Sequence, residues 1–175
     1  DYSEGELLNK PYWQKQEHYE ALNSASVMNY KYAAMTDRDH RYIKAAYYAM
    51  VDHIDFQVGK LMDALEKTGQ TDNTLVIFMS DHGELLGDHG MYFKGPFFYE
   101  PAVHVPLIIS CPRLIPKGRK IEGLVELTDL VPTLLDLTGI EKPEGLQGIS
   151  MNEVLTGNME ETVCRKDEKN GHYVF

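Results

Sequence analysis

The sequence predicts an α/β fold of which this chain holds only part. A long amphipathic helix pattern begins at Asp39 and is followed by the apolar run TLVIFMS (74–80), which is too short for a helix. A second apolar run, VHVPLIIS, covers residues 103–110. Such runs are typical of parallel strands buried on both faces, and a helix followed by a buried strand is half of a βαβ unit. Two or three strands do not complete such a sheet, so we predict the C-terminal part of a larger α/β domain.

The composition and charge of the chain favour a globular protein and argue against some classes of partner. The chain has 175 residues, 43% hydrophobic and 25% charged, which is ordinary for a globular protein. Its formal net charge of -10 argues against a nucleic-acid or anionic-membrane partner, because both require a basic face. No apolar stretch approaches the roughly 20 residues that span a bilayer, and no signal peptide is visible, so the compartment stays open. Cys111 and Cys164 form no disulfide framework, and we expect both to be buried, reduced thiols.

The first part of the chain predicts two helices of different character. Residues 1–38 are polar and rich in tyrosine, and Pro11 is placed to open a short helix over YWQKQEHYEALN (12–23). We expect this segment to wrap over another part of the domain. The long helix should begin at Asp39 and end at Gly69, because glycine readily adopts the left-handed conformation of the residue that follows a helix. Its predicted core stripe at helical spacing consists of Ile43, Tyr47, Met50, Val51, Ile54, Val58, Leu61, Met62 and Leu65.

The second half of the chain predicts a strand and a helix. The segment KIEGLVELT (120–128) reads as a weak third strand. Thr128 or Asp129 should then cap the short helix LVPTLLDLTG (130–139).

An antiparallel pair is expected at the end of the chain. ETVCR (161–165) and GHYVF (171–175) flank the turn signal Asn170-Gly171. We therefore divide the chain into a wrapping segment at 1–38, the α/β domain at 39–158 and a further small unit at 159–175.

The segment SDHGELLGDHG (80–90) directly follows the first apolar run and is the strongest functional signal. Ligands of open α/β sheets bind beyond the carboxyl ends of the strands, which is where Asp81 and His82 stand. A carboxylate and an imidazole side by side can point to one cation, and the nearby glycines let the backbone fold tightly around it. Alternatively, Asp81 caps a turn and the rest of the segment is a solvated loop.

Four other residues, two inside this segment and two after it, have candidate roles. Lys94, within MYFKGPFFYEP (91–101), could hold an oxyanion beside the metal, or it could be a snorkelling surface lysine. Asp88 and His89 could extend the metal site, but we expect them instead to order the loop around the metal ligands. His104 is expected to be a satisfied, partly buried histidine at the entrance of the second strand.

These residues together resemble a known family. The stretch TLVIFMSDHGELLGDHGMYFKGPFFYEPAVHVPLII (74–109), followed by LTDLVPTLLDLTGI (127–140), closely resembles the type I sulfatases of the alkaline phosphatase superfamily. The resemblance covers about residues 40–150. It implies an alkaline-phosphatase-like mixed sheet flanked by helices, followed by a small C-terminal antiparallel subdomain that residues 159–175 would begin.

The resemblance also implies roles for individual residues. Asp81 and His82 match the second pair of metal ligands, and Lys94 matches the lysine that contacts the sulfate oxygens and the leaving group. His104 matches a structural position at a strand entrance. The Asp-His pair occurs in sulfatases and in the related phosphonate monoester hydrolases. The family metal is Ca²⁺, whereas the nitrogen of His82 suits Mn²⁺ or Zn²⁺ better.

The family nucleophile is not recognisable in this sequence. It is a formylglycine made from the motif C/S-x-P-x-R, whereas Cys111 is followed by PRLI and Cys164 by RKDE. We therefore expect the nucleophile in the N-terminal half of the same domain, and an isolated chain without activity. The leading hypothesis is part of a metal-dependent sulfatase acting on a small-molecule or carbohydrate sulfate ester. The alternatives are a phosphonate or phosphate monoester hydrolase, and a non-catalytic module that keeps the fold.

Overall fold

The structure is a computed structural model that describes residues 9–13, 15–16 and 32–157. Two compact units divide the chain, one formed by Asp1–Ala64 with Phe78–Leu107 and the other by Leu65–Ile77 with Ile108–Phe175. The elements of the described residues are, in order, α1 (Asp37–Lys67), β1 (Val76–Met79), α2 (Glu100–Val103), β2 (Leu107–Ser110), α3 (Leu130–Thr138) and α4 (Asn152–Thr156). Short 3-10 turns lie at Tyr32–Ala34, Thr71–Asn73, Asp88–Gly90 and Leu127–Asp129. In this described part, none of the helices combines the length and the apolar character that a membrane span requires.

Helix α1 begins two residues before the predicted start because Thr36 and Asp39 cap it. Oδ2 of Asp39 accepts hydrogen bonds from the Thr36 backbone N–H at 2.8 Å and from the Thr36 hydroxyl at 2.7 Å. The Asp39 N–H donates back to the Thr36 hydroxyl at 3.3 Å, which completes a reciprocal cap. At the other end Gly69 adopts a left-handed φ of 66°, so the predicted glycine terminator is confirmed.

The predicted core stripe of α1 is not buried in the described residues. No residue of this helix is buried, and the side chains of Ile54 and Leu61 are 51% and 67% exposed. Tyr47, Val58 and Leu65 are half-buried. The helical period is therefore confirmed, whereas the prediction that this stripe packs into a core is not met here.

Strands β1 and β2 form a two-stranded sheet, and the relative direction of the two strands differs from the predicted one. The Cys111 thiol, just after β2, donates to the carbonyl of Asp72, just before β1, at 3.9 Å. The Gly83 N–H, after β1, donates to the carbonyl of Ala102, before β2, at 2.8 Å. The end of each strand thus lies beside the start of the other, so the strands are antiparallel and the parallel prediction was wrong.

The strands are also shorter and less buried than predicted. Each has four residues, and in β1 Met79 is 40% exposed while the other three are half-buried. Half-buried and exposed residues alternate along β2, which is the pattern of a sheet with one covered face. A four- to eight-residue apolar run does not by itself distinguish this arrangement from a parallel strand buried on both sides.

The predicted third strand over 120–128 is wrong. Residues 120–126 are irregular, and Leu127–Asp129 form a 3-10 turn that leads into α3. The Glu126 carboxylate accepts from the Asp129 N–H, and Oδ2 of Asp129 accepts from the Glu126 N–H at 2.9 Å. This capping box starts the helical geometry at Glu126, one turn before the predicted cap at Thr128 or Asp129.

Helix α3 is confirmed, and it holds the following segment through buried polar contacts. Gly139 ends the helix with a φ of 71°. The buried carboxylate of Asp129 accepts from the Ile149 N–H at 2.7 Å, and the buried hydroxyl of Thr133 accepts from the Met151 N–H at 2.9 Å. These bonds precede α4, a helix that sequence patterns did not predict.

The remaining sequence predictions are tested only in part. Residues 12, 13, 15 and 16 are helical, and the Lys15 N–H donates to the Pro11 carbonyl at 3.1 Å, as expected for a helix opened by proline. Cys111 is a buried, free thiol, as predicted. Cys164 and the paired strands at 161–165 and 171–175 lie outside the described residues. The division into 1–38, 39–158 and 159–175 stays a prediction.

Candidate active site

Asp81 and His82 lie directly after β1 with their side chains turned toward each other. Oδ2 of Asp81 is 3.6 Å from Nε2 of His82, while Oδ1 of Asp81 accepts from the His82 backbone N–H at 3.0 Å. The Asp81 side chain is 78% exposed and the His82 side chain 42% exposed. One oxygen of Asp81 thus holds the turn, and the other is available to a ligand that approaches from solvent.

The backbone of the same turn sets the tautomer of His82. Nδ1 of His82 lies 2.9 Å from the carbonyl oxygen of Gly83. Because a carbonyl oxygen only accepts hydrogen bonds, Nδ1 carries the proton of this bond. In the neutral imidazole the lone pair is therefore on Nε2, the nitrogen that faces Asp81. This is the arrangement of a metal-binding histidine whose second nitrogen is held by a backbone carbonyl.

The donor pair fits one side of a cation site. Two ligands that bind one ion at about 2.0 to 2.4 Å, separated by an angle of about 90° to 110°, lie roughly 2.8 to 3.9 Å apart. The 3.6 Å between Nε2 and Oδ2 falls within that range. No group of three or more His, Cys, Asp or Glu side chains suited to a metal occurs among the described residues. Asp81 and His82 therefore fit as two ligands of a site that requires others.

Gly83 brings the loop into backbone contact with the segment before β2. Besides donating its N–H to Ala102, it lies so close to Pro101 that a Cβ at this position would be 1.8 Å from the Pro101 carbonyl oxygen. Only glycine fits such an approach. The close contact fixes the residue that follows the Asp81 and His82 pair.

The loop beyond Gly83 has a small core of its own. Leu85 and Met91 are each 2% exposed and pack with Ala102, and Phe97 and Tyr99 contact this cluster. Apolar anchoring of this kind keeps an irregular segment in one conformation, because opening it would expose the cluster to water.

Polar and aromatic contacts add to that order. Nδ1 of His40 is 2.7 Å from the Tyr92 hydroxyl, and the Tyr32 ring lies against His40 with centroids 4.5 Å apart. The Tyr32 hydroxyl donates to the Gly87 carbonyl at 3.3 Å. Burial raises the pKa of Tyr32, and the negative charge of Asp88 adds to this shift, so the hydroxyl stays protonated as the donor.

Asp88 and His89 form part of the 3-10 turn that reverses the loop. The Asp88 carbonyl accepts from the Met91 N–H at 3.0 Å. His89 adopts a left-handed φ of 53°, and its ring stacks on Tyr99 at 4.0 Å between centroids. Their contribution to loop order agrees with the predicted one, whereas a role around the metal ligands stays a prediction.

Lys94 lies on the exposed side of the same loop. Its side chain is solvent-exposed and makes no hydrogen bond or ion pair within the described part of the chain. The backbone of the preceding residue, Phe93, is held on both sides: its N–H donates to Glu84, and its carbonyl accepts from the Leu85 N–H. The backbone next to Lys94 is therefore held, while its exposed side chain agrees with the surface-lysine alternative as well as with a contact to an anionic ligand.

His104 differs from its prediction. We expected a partly buried histidine at the strand entrance, but its side chain is 78% exposed. It is satisfied by Glu100, with Nδ1 2.6 Å from Oε1 across one turn of α2. The strand begins only at Leu107, so His104 directly follows α2 and lies three residues before the strand.

Sequence patterns missed two residues that shape the site. Glu84 holds the Phe93 N–H, and Gly83 accommodates the Pro101 carbonyl. Both are visible in SDHGELLGDHG, but each has a backbone partner nine or more positions away. No local spacing rule reports such a partner, so Glu84 had no assigned role and Gly83 appeared only as a flexible turn residue.

Comparison with known proteins identifies the family to which this chain is similar. Residues 11–140 match the Sulfatase family. An arylsulfatase of Clostridium perfringens is 40% identical over 115 residues, which are 64% of this chain and 24% of that protein. An N-acetylglucosamine-6-O-sulfatase of Bacteroides thetaiotaomicron is 40% identical over 109 residues, or 62% of this chain and 19% of that protein. The chain thus spans about a quarter or less of the length of these curated relatives.

Structural similarity points to the same superfamily. The phosphonate monoester hydrolase of Silicibacter pomeroyi superposes with a TM-score of 0.70 at 31% identity, over 83% of this chain and 29% of that chain. The fold is therefore that of the sulfatase and phosphonate hydrolase class, as the α/β prediction and the resemblance implied. Within that class, the match over residues 11–140 is decisive, and the chain belongs to the sulfatase family.

Proposed function

We propose that this chain is part of an enzyme that hydrolyses sulfate esters with a bound divalent metal. The observation that carries the proposal is the pairing of Asp81 and His82, whose Oδ2 and Nε2 converge at 3.6 Å while Gly83 holds the other imidazole nitrogen. Both donors are accessible to solvent, and they directly follow β1.

Each of the two donors has a defined part in metal binding. Asp81 supplies negative charge through Oδ2, and His82 supplies the lone pair of Nε2. A divalent cation bound there would polarise the ester oxygens of the substrate. We expect Ca²⁺ first, because the family uses it, with Mn²⁺ or Zn²⁺ as the alternatives that an imidazole ligand favours.

Lys94 is the proposed contact to the transferred group. Its ammonium is exposed and has no partner among the described residues, so its positive charge can bind a sulfate oxygen or the departing oxygen. A donor that meets charge developing in the transition state lowers the barrier more than it strengthens substrate binding. Lys94 should therefore affect kcat more than KM.

The nucleophile is expected outside this sequence. Cys111 is a buried thiol that donates to the Asp72 carbonyl, and PRLI rather than the formylglycine motif follows it. The remaining metal ligands and the nucleophile would come from the N-terminal half of the same domain. The substrate class that we propose is a small-molecule or carbohydrate sulfate ester, which agrees with the name of the N-acetylglucosamine-6-O-sulfatase relative.

A phosphonate or phosphate monoester hydrolase is the second candidate. The similarity to the phosphonate monoester hydrolase, at a TM-score of 0.70, favours it specifically. A third reading is a module that keeps the fold without chemistry.

One assay separates the three candidates. The full-length protein, produced with formylglycine maturation, is assayed with nitrophenyl sulfate and with a matched phenylphosphonate ester after loading with Ca²⁺, Mn²⁺ or Zn²⁺. A higher kcat/KM on the sulfate supports our proposal. A higher value on the phosphonate replaces it with the second candidate, and no turnover of either ester by matured, metal-loaded protein leaves the third.

A further inference from the structure

The Glu84 carboxylate joins two distant points of the loop that carries the candidate site. Its Oε1 accepts from the Leu86 N–H at 3.0 Å and from the Phe93 N–H at 2.6 Å. Glu84 is half-buried and stands two residues after His82. One oxygen atom thus links the segment of the metal-ligand pair to the segment of Lys94.

Both residues that donate to Glu84 have unusual backbone conformations. Leu86 has a φ of 49° and Phe93 a φ of 67°, in the left-handed region that residues other than glycine seldom adopt. Such conformations persist only where surrounding contacts hold them. Here the Glu84 carboxylate is the contact that both residues share.

Backbone hydrogen bonds near Glu84 join the two arms of the loop, and the Phe93 N–H is bound by Glu84. The Leu85 N–H donates to the Phe93 carbonyl at 3.2 Å, and the Gly87 N–H donates to the Met91 carbonyl at 2.8 Å. These bonds pair the two arms of the loop. The Phe93 N–H is bound by Glu84, so loss of the carboxylate removes the acceptor of this N–H in the residue next to Lys94.

From these contacts we infer that Glu84 is a positioning residue for Lys94. The inference rests on the proposed function, because it requires Lys94 to meet the substrate. Glu84 acts through the Phe93 backbone and does not touch the substrate itself. To accept both N–H groups, the side chain must be long enough to bring an oxygen to them. The oxygen does not have to carry a full negative charge.

Substitutions at Glu84 can separate the effect of side-chain length from the effect of charge. Glu84→Gln keeps a carbonyl oxygen at the same reach and loses the charge. Glu84→Asp keeps the charge and shortens the side chain by one methylene, so it cannot accept both N–H groups. Glu84→Ala removes the acceptor. Glu122→Ala, at an exposed glutamate elsewhere in the chain, is the matched control.

The test uses full-length, formylglycine-bearing enzyme and nitrophenyl sulfate, with each variant made in the wild-type and in the Lys94→Ala background. We expect Glu84→Ala and Glu84→Asp to lower kcat roughly 10- to 100-fold, by analogy with the loss of a hydrogen-bonding partner behind a metal ligand, with little change in KM or metal content. Glu84→Gln should stay within about threefold of wild type. In the Lys94→Ala background, Glu84→Ala should cost less than about threefold, because the group that it positions is gone.

The outcomes separate this inference from the proposed function. Equal losses from Glu84→Ala in both backgrounds would overturn the inference, as would a Glu84→Gln enzyme as impaired as Glu84→Ala. If Glu84→Ala does not fold, Glu84→Asp and Glu84→Gln decide alone: an active Asp variant with an impaired Gln variant would mean that the charge matters and not the reach. Wild-type enzyme without activity on any ester would refute the proposed function instead.

Discussion

Nε2 of His82 lies 3.6 Å from Oδ2 of Asp81, and the Gly83 carbonyl holds the opposite nitrogen of the same ring. Two groups with lone pairs therefore face each other without a proton between them in the neutral imidazole. A cation bound by both would remove that unfavourable pairing. This relationship is the basis of the first prediction.

Asp81→Ala and His82→Ala should each lower the metal content of the full-length enzyme and its kcat/KM. We expect losses above the roughly 10- to 100-fold that removal of an outer partner costs, because a donor atom itself is lost. Metal analysis of the purified protein and ester turnover are the two measurements. His53→Ala, at an exposed histidine on α1, is the control. Unchanged metal content in both site variants would refute the assignment.

Lys94→Ala should lower kcat by about 10²- to 10³-fold while KM changes less, because the ammonium meets charge that develops in the transition state. Steady-state kinetics on nitrophenyl sulfate measures this split. Lys120→Ala, at an exposed lysine paired with Glu122 at 3.2 Å, should leave both constants near wild type. A rise in KM alone would assign Lys94 to ground-state binding.

Gly83→Ala should destabilise the protein by about 1 to 3 kcal/mol or more, because its Cβ would lie 1.8 Å from the Pro101 carbonyl oxygen and the backbone must move. Gly59→Ala is the matched control, since nothing lies within 4 Å of its added Cβ on α1. It should stabilise the protein by about 0.5 to 1 kcal/mol. Denaturant unfolding of the full-length variants measures both, and equal stabilities would contradict the close contact.

Asp39 makes the cap of α1 sensitive to acid. The hydrogen bonds from Thr36 lower the pKa of Asp39 below the usual value of an aspartate, so ionised Asp39 stabilises the folded state. This contribution is fully present above pH 4 and is lost as pH falls through the lowered folded-state value. Asp39→Asn should therefore be less stable than wild type at pH 7, and the difference should shrink below pH 4. Thermal unfolding from pH 7 to pH 3, with Asp52→Asn as the mid-helix control, tests this sign.

The isolated 175-residue chain should not hydrolyse nitrophenyl sulfate with added Ca²⁺ or Mn²⁺. Two ligands bind such ions weakly, and loss of a nucleophile alone removes several orders of magnitude in rate. The matured full-length enzyme under the same conditions is the positive control. Metal-dependent turnover by the purified chain would show that the chemistry does not need the formylglycine.

Local patterns predicted two of the helices among the described residues, α1 and α3, and missed the short helices α2 and α4. The period of α1, its end at Gly69 and the end of α3 at Gly139 depend on residues within one or two turns of each other, and the structure confirms them. The positions of Asp81 and His82 after β1 were also predictable, because a polar cluster followed an apolar run. Cap chemistry was harder, since the Glu126 and Asp129 box begins α3 inside a segment with strand-like composition.

Long-range pairing could not be derived in the same way. The apolar runs at 74–80 and 103–110 fit a parallel or an antiparallel sheet equally, and only contacts such as that from Gly83 to Ala102 decide between them. Glu84 had no signal for the same reason, because its partner is a backbone N–H nine residues away. Such partners are fixed by the folded loop and not by residue type.

The hydrogen bond from Gly83 to Ala102 closes the loop at its base, well away from its outer end. Residues 96–99 lie beyond that closure and include Phe98, which is 92% exposed. Phe97 and Tyr99 pack against the cluster inside the loop, so only changes confined to an exposed position such as Phe98 should leave Asp81 and His82 in place. Position 98 is therefore a point at which the sequence can vary, by natural drift or in a laboratory library, without disturbing the pairing of Asp81 and His82.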